Sequence, residues 1–163
     1  MDQLPDFWRT EIWHPLSVHF PIALLSLATV LFIIGYSVRK QNVTVMGKIL
    51  LLLGTGGSWI SVYTGSLADP IVTRELCDPT VLESHENGAY TVAWIFTIAS
   101  ALVIADYFQV FNKIRKLVQI GIIALLITGS GFLGYTGHLG AKLVYQQAAG
   151  VYTPSEDCKE FEE

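Results

Sequence analysis

Four histidines are the residues of this sequence whose side chains are best suited to hold a cofactor: His14, His19, His85 and His138. A neutral imidazole ligates haem iron, zinc or copper through one ring nitrogen, and the same nitrogen can hydrogen-bond a quinone oxygen. The chemistry open to this chain therefore depends on which of the four imidazoles the fold brings together.

A b-type haem needs one or two imidazoles from different helices, a flat apolar slot and hydrogen-bond acceptors that fix the ring tautomers. We prefer His14 and His85 as the axial pair, because an internal repeat makes them equivalent and places them on diagonal helices. His19 and His138, on the first and fourth helices, form the second possible pair. Three carboxylates near the helix starts are available as acceptors: Glu11, Glu83 and Glu86.

Other cofactors stay open. A zinc or copper ion needs three or four ligands, which His14, His85, His138 and a nearby Glu would supply, although no HExxH or HxxEH spacing supports such a site. A quinone would use a His together with a Tyr or a carboxylate. Each histidine also has a structural interpretation, as a helix cap or interfacial residue, or, for His19, as a buried imidazole bonded to a freed carbonyl.

The segment HPLSVHFP carries two of the histidines and two prolines. Pro15 suits the first position of a helix, where its missing N–H costs nothing. Pro21 removes a backbone donor inside the helix and crowds the carbonyl of Ser17, so we expect the helix to be bent or broken between residues 16 and 20. The freed groups need partners in protein or water, which predicts that this segment is buried against the bundle or lines a polar cavity.

Long apolar runs must position these residues. The chain has 163 residues, of which 52% are hydrophobic and 15% charged, and four uncharged stretches are each long enough to cross a hydrocarbon core of ~30 Å. The sequence therefore predicts an all-α membrane protein, a single four-helix transmembrane domain over 1–163. Its predicted segments are helices at about 15–38, 48–68, 88–111 and 116–139, an outer loop at 69–87 and an outer C-terminal tail at 140–163.

Charge predicts the orientation of these helices. Lys and Arg fill the connections after the first and third helices, while nearly all Asp and Glu lie in the N-terminal segment, the 69–87 loop and the tail. By the positive-inside tendency we expect a multi-pass protein of a bacterial inner membrane with both termini periplasmic. Asp106 is expected to be an interfacial residue near Lys113. The N-terminus does not resemble a removable signal peptide, and no basic patch or phosphate loop indicates nucleic acid or nucleotide.

An internal repeat suggests how the helices are arranged. YTGSL at 63–67 and YTGHL at 135–139 match at a shift of 72, and His14 falls on His85 at a shift of 71. We therefore expect two pseudo-symmetric hairpins in one bundle. Small residues form a stripe on the second helix (Gly54, Gly57, Ser61, Gly65) and another on the fourth (Gly131, Gly134, Gly137). Such stripes serve close helix packing or the binding of a flat ring.

Two cysteines lie on the predicted outer side, Cys77 in the loop and Cys158 in the tail. In an oxidising compartment an even number of cysteines favours a disulfide. We expect one between Cys77 and Cys158, with two free thiols or an intermolecular bridge as the alternatives.

Three segments resemble a widespread bacterial integral-membrane domain family of unknown function: HPLSVHFPIALL, ESHENG and GHLGAKLVYQQAAGV. The resemblance covers residues 13–151. Members of that family tend to occur beside or fused to cytochrome c-like or Rieske-type domains, which implies an electron-transfer setting. The family pattern typically continues GG-x-LVY with HGVGV, whereas this chain has GAKLVYQQAAGV, so a role for that later histidine is absent here.

These observations predict a membrane electron-transfer subunit in the lipid bilayer that holds one b-type haem through histidines near the periplasmic face and serves a periplasmic cytochrome c-like or other respiratory partner. It is expected to be a non-catalytic or accessory subunit more than an enzyme. The alternatives are a cofactor-free assembly or scaffolding subunit, and a periplasmic-face site for zinc, copper or quinone. No feature predicts an oligomeric state.

Overall fold

The computed structural model describes residues 8–151, and this part of the chain is built from four long α-helices without strands. They are α1 (Trp13–Ser37), α2 (Gln41–Val72), α3 (Pro79–Tyr107) and α4 (Arg115–Gln147). Short 3-10 turns at Thr10–Ile12 and Asn112–Ile114 precede α1 and α4. All four helices are long and apolar enough to cross a membrane, which confirms the predicted all-α membrane fold.

The helices extend beyond the apolar runs that predicted them. α2 continues through Pro70 to Val72 and α3 already begins at Pro79, so the predicted 69–87 loop is reduced to a connection at 73–78. α4 likewise continues to Gln147, so the predicted tail at 140–163 begins as helix. Hydropathy marks only the segment that lipid can hold, whereas helix hydrogen bonding continues into polar sequence on either side.

The start of α3 has a local cause that hydropathy does not contain. Asp78 is the N-cap of α3, and its carboxylate accepts hydrogen bonds from the Thr80 amide at 3.0 Å and from the Thr80 hydroxyl at 2.6 Å. Pro79 follows at the first helical position, where no N–H is needed. The two bonds from Thr80 hold the pKa of the Asp78 carboxyl below its ordinary value.

The helices pair as two hairpins. α1 packs mainly on α2 and α3 mainly on α4, while lighter α2–α3 and α1–α4 contacts close the bundle. α1 and α3 are therefore diagonal, as the repeat predicts. The centre of the bundle is filled by six fully buried side chains: Leu25, Phe32, Leu51, Phe96, Ile122 and Leu126.

α1 runs without a break through Pro21, so of the two expected alternatives between residues 16 and 20, a bend or a break, the break is wrong. The proline ring is buried, and a Cβ added at Gly57 of α2 would lie 3.4 Å from its Cδ. Pro21 has no N–H to donate to the Ser17 carbonyl. The Ser17 hydroxyl donates to the His14 carbonyl at 3.0 Å and lies 2.8 Å from the Thr64 hydroxyl. These contacts hold the proline-containing turn against α2.

The two stripes of small residues differ in use. Gly54 and Gly65 of α2 lie directly against α1, where an added Cβ would meet Leu25 at 2.7 Å and the His14 ring at 3.1 Å. Nothing lies within 4 Å of a Cβ added at Gly131, Gly134 or Gly137. The packing interpretation therefore holds for α2 and is wrong for the glycine stripe of α4.

The two ends of the bundle differ in their polar residues. The histidine end is where α1 and α3 begin and α2 and α4 end, and the basic end is the opposite one, at the 38–40 and 108–114 connections. Cys77 is exposed at the histidine end. Cys158 lies outside the described residues, so the disulfide between them stays a prediction.

Candidate cofactor site

A cavity of about 440 Å³ occupies the histidine end and is lined by residues of all four helices. Its volume is within the range of sites that hold cofactors and small ligands. Most of its wall is apolar, and the two imidazoles in that wall are His14 and His85. The fold thus brings together the pair that the repeat makes equivalent.

His14 is held by the end of α2. Its Nδ1 lies 3.0 Å from the carbonyl oxygen of Ser61. The residue is half-buried and lies close to Gly65, where an added Cβ would be 3.1 Å from Nδ1. Ser61 and Gly65 are one helical turn apart, so they lie on the same face of α2. A side chain at position 65 would push the ring out of its place.

His85 is held in the same way by the end of α4. Its Nδ1 lies 2.9 Å from the carbonyl oxygen of Thr136, and a Cβ added at Gly140 would lie 3.1 Å from its Cε1. Thr136 and Gly140 are again one turn apart. Each hairpin therefore contributes one imidazole, one carbonyl acceptor and one glycine.

The hydrogen bonds fix the chemistry of both rings. Because a carbonyl oxygen can only accept, Nδ1 of His14 and of His85 must carry the proton, and in the neutral ring Nε2 then has a free lone pair. Metal-ligating histidines are oriented by this same bond from the other ring nitrogen to a backbone carbonyl or carboxylate. Both imidazoles are thus prepared to donate Nε2 to a metal ion or to accept a hydrogen bond there.

The two rings lie near each other across the interface of the hairpins. Their centroids are 6.0 Å apart and their planes are inclined at 86°. Two imidazoles that ligate one metal ion from opposite sides have centroids about 6 Å apart, since each metal–nitrogen bond is about 2 Å. The spacing of His14 and His85 is compatible with a shared metal ion.

The cavity also contains buried hydroxyls without a partner. The side-chain oxygens of Ser61 and Thr136 have no hydrogen-bond partner within residues 8–151, and both residues are 7% exposed. Both line the cavity. A buried hydroxyl left unpaired costs free energy, so these two atoms are candidates for contact with a ligand.

The carboxylates expected to orient the imidazoles do not do so. Glu11 and Glu86 line the cavity, whereas the Nδ1 atoms of His14 and His85 bond to backbone carbonyls. Glu11 instead pairs with Arg9 at 3.3 Å, and Arg9 donates to the Gly150 carbonyl at 2.9 Å. Glu83 is exposed and outside the cavity wall.

The second predicted pair is placed elsewhere. His19 and His138 are both exposed, and neither lines the cavity. Among the described residues, Tyr90 is the one tyrosine or tryptophan in the cavity wall. Trp59 and Trp94 stack edge to face at 5.2 Å outside it.

Sequence reasoning missed Thr136 and Gly140, and the register explains why. His14 and Ser61 are 47 residues apart, whereas His85 and Thr136 are 51 apart. The YTGSL/YTGHL alignment gives Ser61 and Gly65 the counterparts Leu133 and Gly137, whereas His85 contacts Thr136 and Gly140, three residues later in each case. Three residues are about one turn at ~3.6 residues per turn, so α4 is displaced along α3 by about a turn relative to that alignment. The small-x3-small spacing of Ser61/Gly65 and Thr136/Gly140 is the sequence signal that marks both contacts.

The donor set suits a group that needs few protein ligands. Within residues 8–151 no group of three or more His, Cys, Asp or Glu side chains is arranged to hold a metal ion. Two imidazoles suffice for haem iron. The rest of the cavity wall offers mostly apolar side chains, the two unpaired hydroxyls, and the carboxylates of Glu11, Asp69 and Glu86.

Comparison with known proteins agrees with a membrane fold and indicates no cofactor or activity. No curated protein and no solved structure matches the chain. The model of one family, described as "Predicted membrane protein (DUF2231)", matches residues 12–153. That range contains all four helices and both halves of the cavity, and the chain belongs to the DUF2231 family of membrane proteins.

Proposed function

We propose that this membrane protein is an electron-transfer subunit in which His14 and His85 would hold one b-type haem at the histidine end. The observation that carries the proposal is that the two imidazoles have the same tautomer and the same type of hydrogen-bond partner. Each donates Nδ1–H to a carbonyl of its own hairpin, each has Nε2 free, and their centroids are 6.0 Å apart.

A bound haem would supply one-electron transfer at this position. The residues of the chain supply the environment. The carbonyls of Ser61 and Thr136 fix the orientation and tautomer of the two rings, and the apolar wall lowers the local polarity and limits access of water. Gly65 and Gly140 leave room for the rings beside α2 and α4.

The predicted orientation places this cavity at the periplasmic face. An electron partner would then be a periplasmic cytochrome c-like protein or another respiratory component that reaches the histidine end. The bundle would act as an accessory subunit of that partner and not as an enzyme by itself.

The decisive experiment compares four single variants purified from membranes. His14→Ala and His85→Ala should abolish or shift the haem absorption band while the helical content stays unchanged, because insertion depends on the apolar runs. His19→Ala and His138→Ala are matched controls, since these histidines are exposed outside the cavity. Absorption spectra and elemental analysis of one sample are the measurements.

Three results would contradict the haem proposal. A protein without iron or visible absorption after expression with added haem precursor would favour the cofactor-free assembly subunit. Stoichiometric zinc or copper would favour a metal-ion site. Equal spectra for all four variants would remove the two cavity histidines from ligation.

A quinone is the second candidate, and the unpaired hydroxyls favour it. Ser61 and Thr136 line the cavity as donors without a partner, and a quinone carbonyl accepts hydrogen bonds from hydroxyls, whereas an iron-bound imidazole has no use for them. Binding of a short-chain ubiquinone to colourless protein, lost in Ser61→Ala, would support the quinone and contradict the haem.

A further inference from the structure

The basic end of the bundle has a cavity of its own, of about 750 Å³. It lies between the connection from α1 to α2 and the first turns of α4. Four cationic side chains line it, together with the polar side chains of Gln41, Thr44 and Gln119: the cations are Arg39, Lys48, Arg115 and Lys116. Within residues 8–151 no acidic side chain contributes to this wall.

A single carboxylate compensates part of this charge from below. Asp106 accepts from Lys48 Nζ at 3.1 Å and from Arg115 Nε at 2.9 Å, one cation on each carboxylate oxygen. Within residues 8–151 no ion pair involves Arg39 or Lys116. One carboxylate is therefore present for four cations, and the cavity has an excess of positive charge.

The backbone adds to the positive potential of the same wall. α2 and α4 both begin here, and neither has an acidic residue in its first turn nor a side-chain cap. The N-terminal amides of a helix carry partial positive charge. Four cations and two uncapped helix starts thus surround one space, and like charges held this close repel unless an anion enters.

We propose that the basic-end cavity binds a phosphate-bearing anion, the headgroup of an anionic phospholipid being its source in the membrane. The cavity lies where helix and connection meet, at the depth of the lipid headgroups, and basic pockets between transmembrane helices bind such headgroups. Arg39 and Arg115 present planar donors suited to phosphate oxygens, while Lys48 and Lys116 supply point charges. This inference does not depend on the haem at the opposite end.

The test uses the full-length protein, freed of lipid in neutral detergent. Binding is measured by native mass spectrometry and by the shift of the unfolding temperature on addition of phosphatidylglycerol, with phosphatidylcholine as the zwitterionic probe and inorganic phosphate as the soluble one. The double variant Arg39→Gln/Lys116→Gln removes two cavity cations. Its matched control is Lys40→Gln/Lys113→Gln, which removes two cations of the same end that do not line the cavity.

We expect phosphatidylglycerol to bind and stabilise the wild type more than phosphatidylcholine does. The double cavity variant should bind it about 25-fold more weakly, about fivefold for each cation removed, and the control double variant as tightly as the wild type. A shift by inorganic phosphate alone, lost in the cavity variant, would support the same anion site with a soluble source. Equal binding of both lipids, or equal losses in the two double variants, would overturn the proposal.

A second variant guards against failure to fold. Arg39 has φ 55 in the turn after α1, a left-handed conformation that a glycine adopts without strain. Arg39→Gly therefore removes a cavity cation and relaxes the turn at once. We expect it to unfold at a temperature no lower than the wild type in phosphatidylcholine while losing about fivefold in affinity for phosphatidylglycerol. Undiminished affinity in this variant would also overturn the proposal.

Discussion

The histidine end and the basic end of the bundle accommodate polar groups in different ways. At the histidine end, neutral imidazoles are held by backbone carbonyls of the neighbouring helix. At the basic end, charged side chains are held by one another, with Asp106 between Lys48 and Arg115. Neutral groups can be placed in an enclosed cavity at low cost, whereas charges require a counter-charge or water. The polar groups of the histidine end are therefore satisfied without a counter-charge, whereas those of the basic end depend on one.

The glycines repeat this difference in packing. Gly65 and Gly140 make room for the rings of His14 and His85. At the basic end a Cβ added at Gly47 would lie 2.9 Å from the backbone nitrogen of Phe32, and Gly35 lies against the backbone of Thr44. α1 and α2 therefore approach each other backbone to backbone at the basic end and are separated by a side chain at the histidine end. We expect the basic end to be the rigid part of the first hairpin.

The largest loss of stability is expected from Asp106→Asn. The Asp106 side chain is 4% exposed, and the substitution leaves Lys48 and Arg115 without their counter-charge and with one acceptor oxygen instead of two. Breaking a buried ion pair costs several kcal/mol, and we expect about 3 kcal/mol because Arg115 is half-exposed and retains water. Unfolding by denaturing detergent measures this loss. Glu83→Gln, at an exposed position of the same helix, should change the unfolding free energy little, and equal losses would show that Asp106 is not a structural counter-charge.

Gly47→Ala should cause the next largest loss of stability. The new methyl would meet the backbone of α1 and force the two helices apart, at a cost of about 2 kcal/mol. Gly121→Ala of α4 is its control, because nothing lies within 4 Å of a Cβ at that position. The control should keep or raise stability by about 0.5 kcal/mol. If Gly47→Ala is as harmless as its control, the first hairpin is not closely packed at the basic end.

Gly140→Ala should affect the cofactor more than the fold. Its Cβ would lie 3.1 Å from the His85 ring, so the ring must move by a few tenths of an ångström. We expect a loss of stability of about 1 kcal/mol with a shifted haem spectrum or lower occupancy. Gly137→Ala also lines the cavity but touches nothing within 4 Å, and it should leave the spectrum unchanged. Identical spectra for both variants would separate His85 from the cofactor.

Thr136→Val should have the smallest effect on stability. The Thr136 hydroxyl is buried without a partner, so replacing it by a methyl of similar size should change the unfolding free energy of the ligand-free protein by less than about 1 kcal/mol. The carbonyl that holds His85 is unaffected. If the cavity binds a quinone, the variant should bind it more weakly, and if it holds a haem, the haem occupancy should stay the same. A large loss of stability without ligand would reveal a hydrogen bond of Thr136 inside the protein.

The sequence predicts the helices well because long apolar runs have few alternatives in a membrane. The meeting of His14 and His85 is also predictable, since a repeat places them at like positions of diagonal helices. The exposure of His19 and His138 is not, because helices that are apolar on all sides carry no polar face from which rotation about the axis can be read. The partners Ser61 and Thr136 escape for a different reason: their contact is made by backbone carbonyls, which every residue has.

The hydrogen bonds of the two histidines also bear on how the molecule is made. His14 is tied to Ser61 and His85 to Thr136, each within one hairpin. During synthesis the first hairpin can leave the translocation machinery with its imidazole already oriented, and the second can do so later without help from the first. The complete cavity forms only when the two hairpins dock, because both contribute to its wall. A ligand that needs both imidazoles would then bind only after docking, and it would hold together two halves that inserted separately.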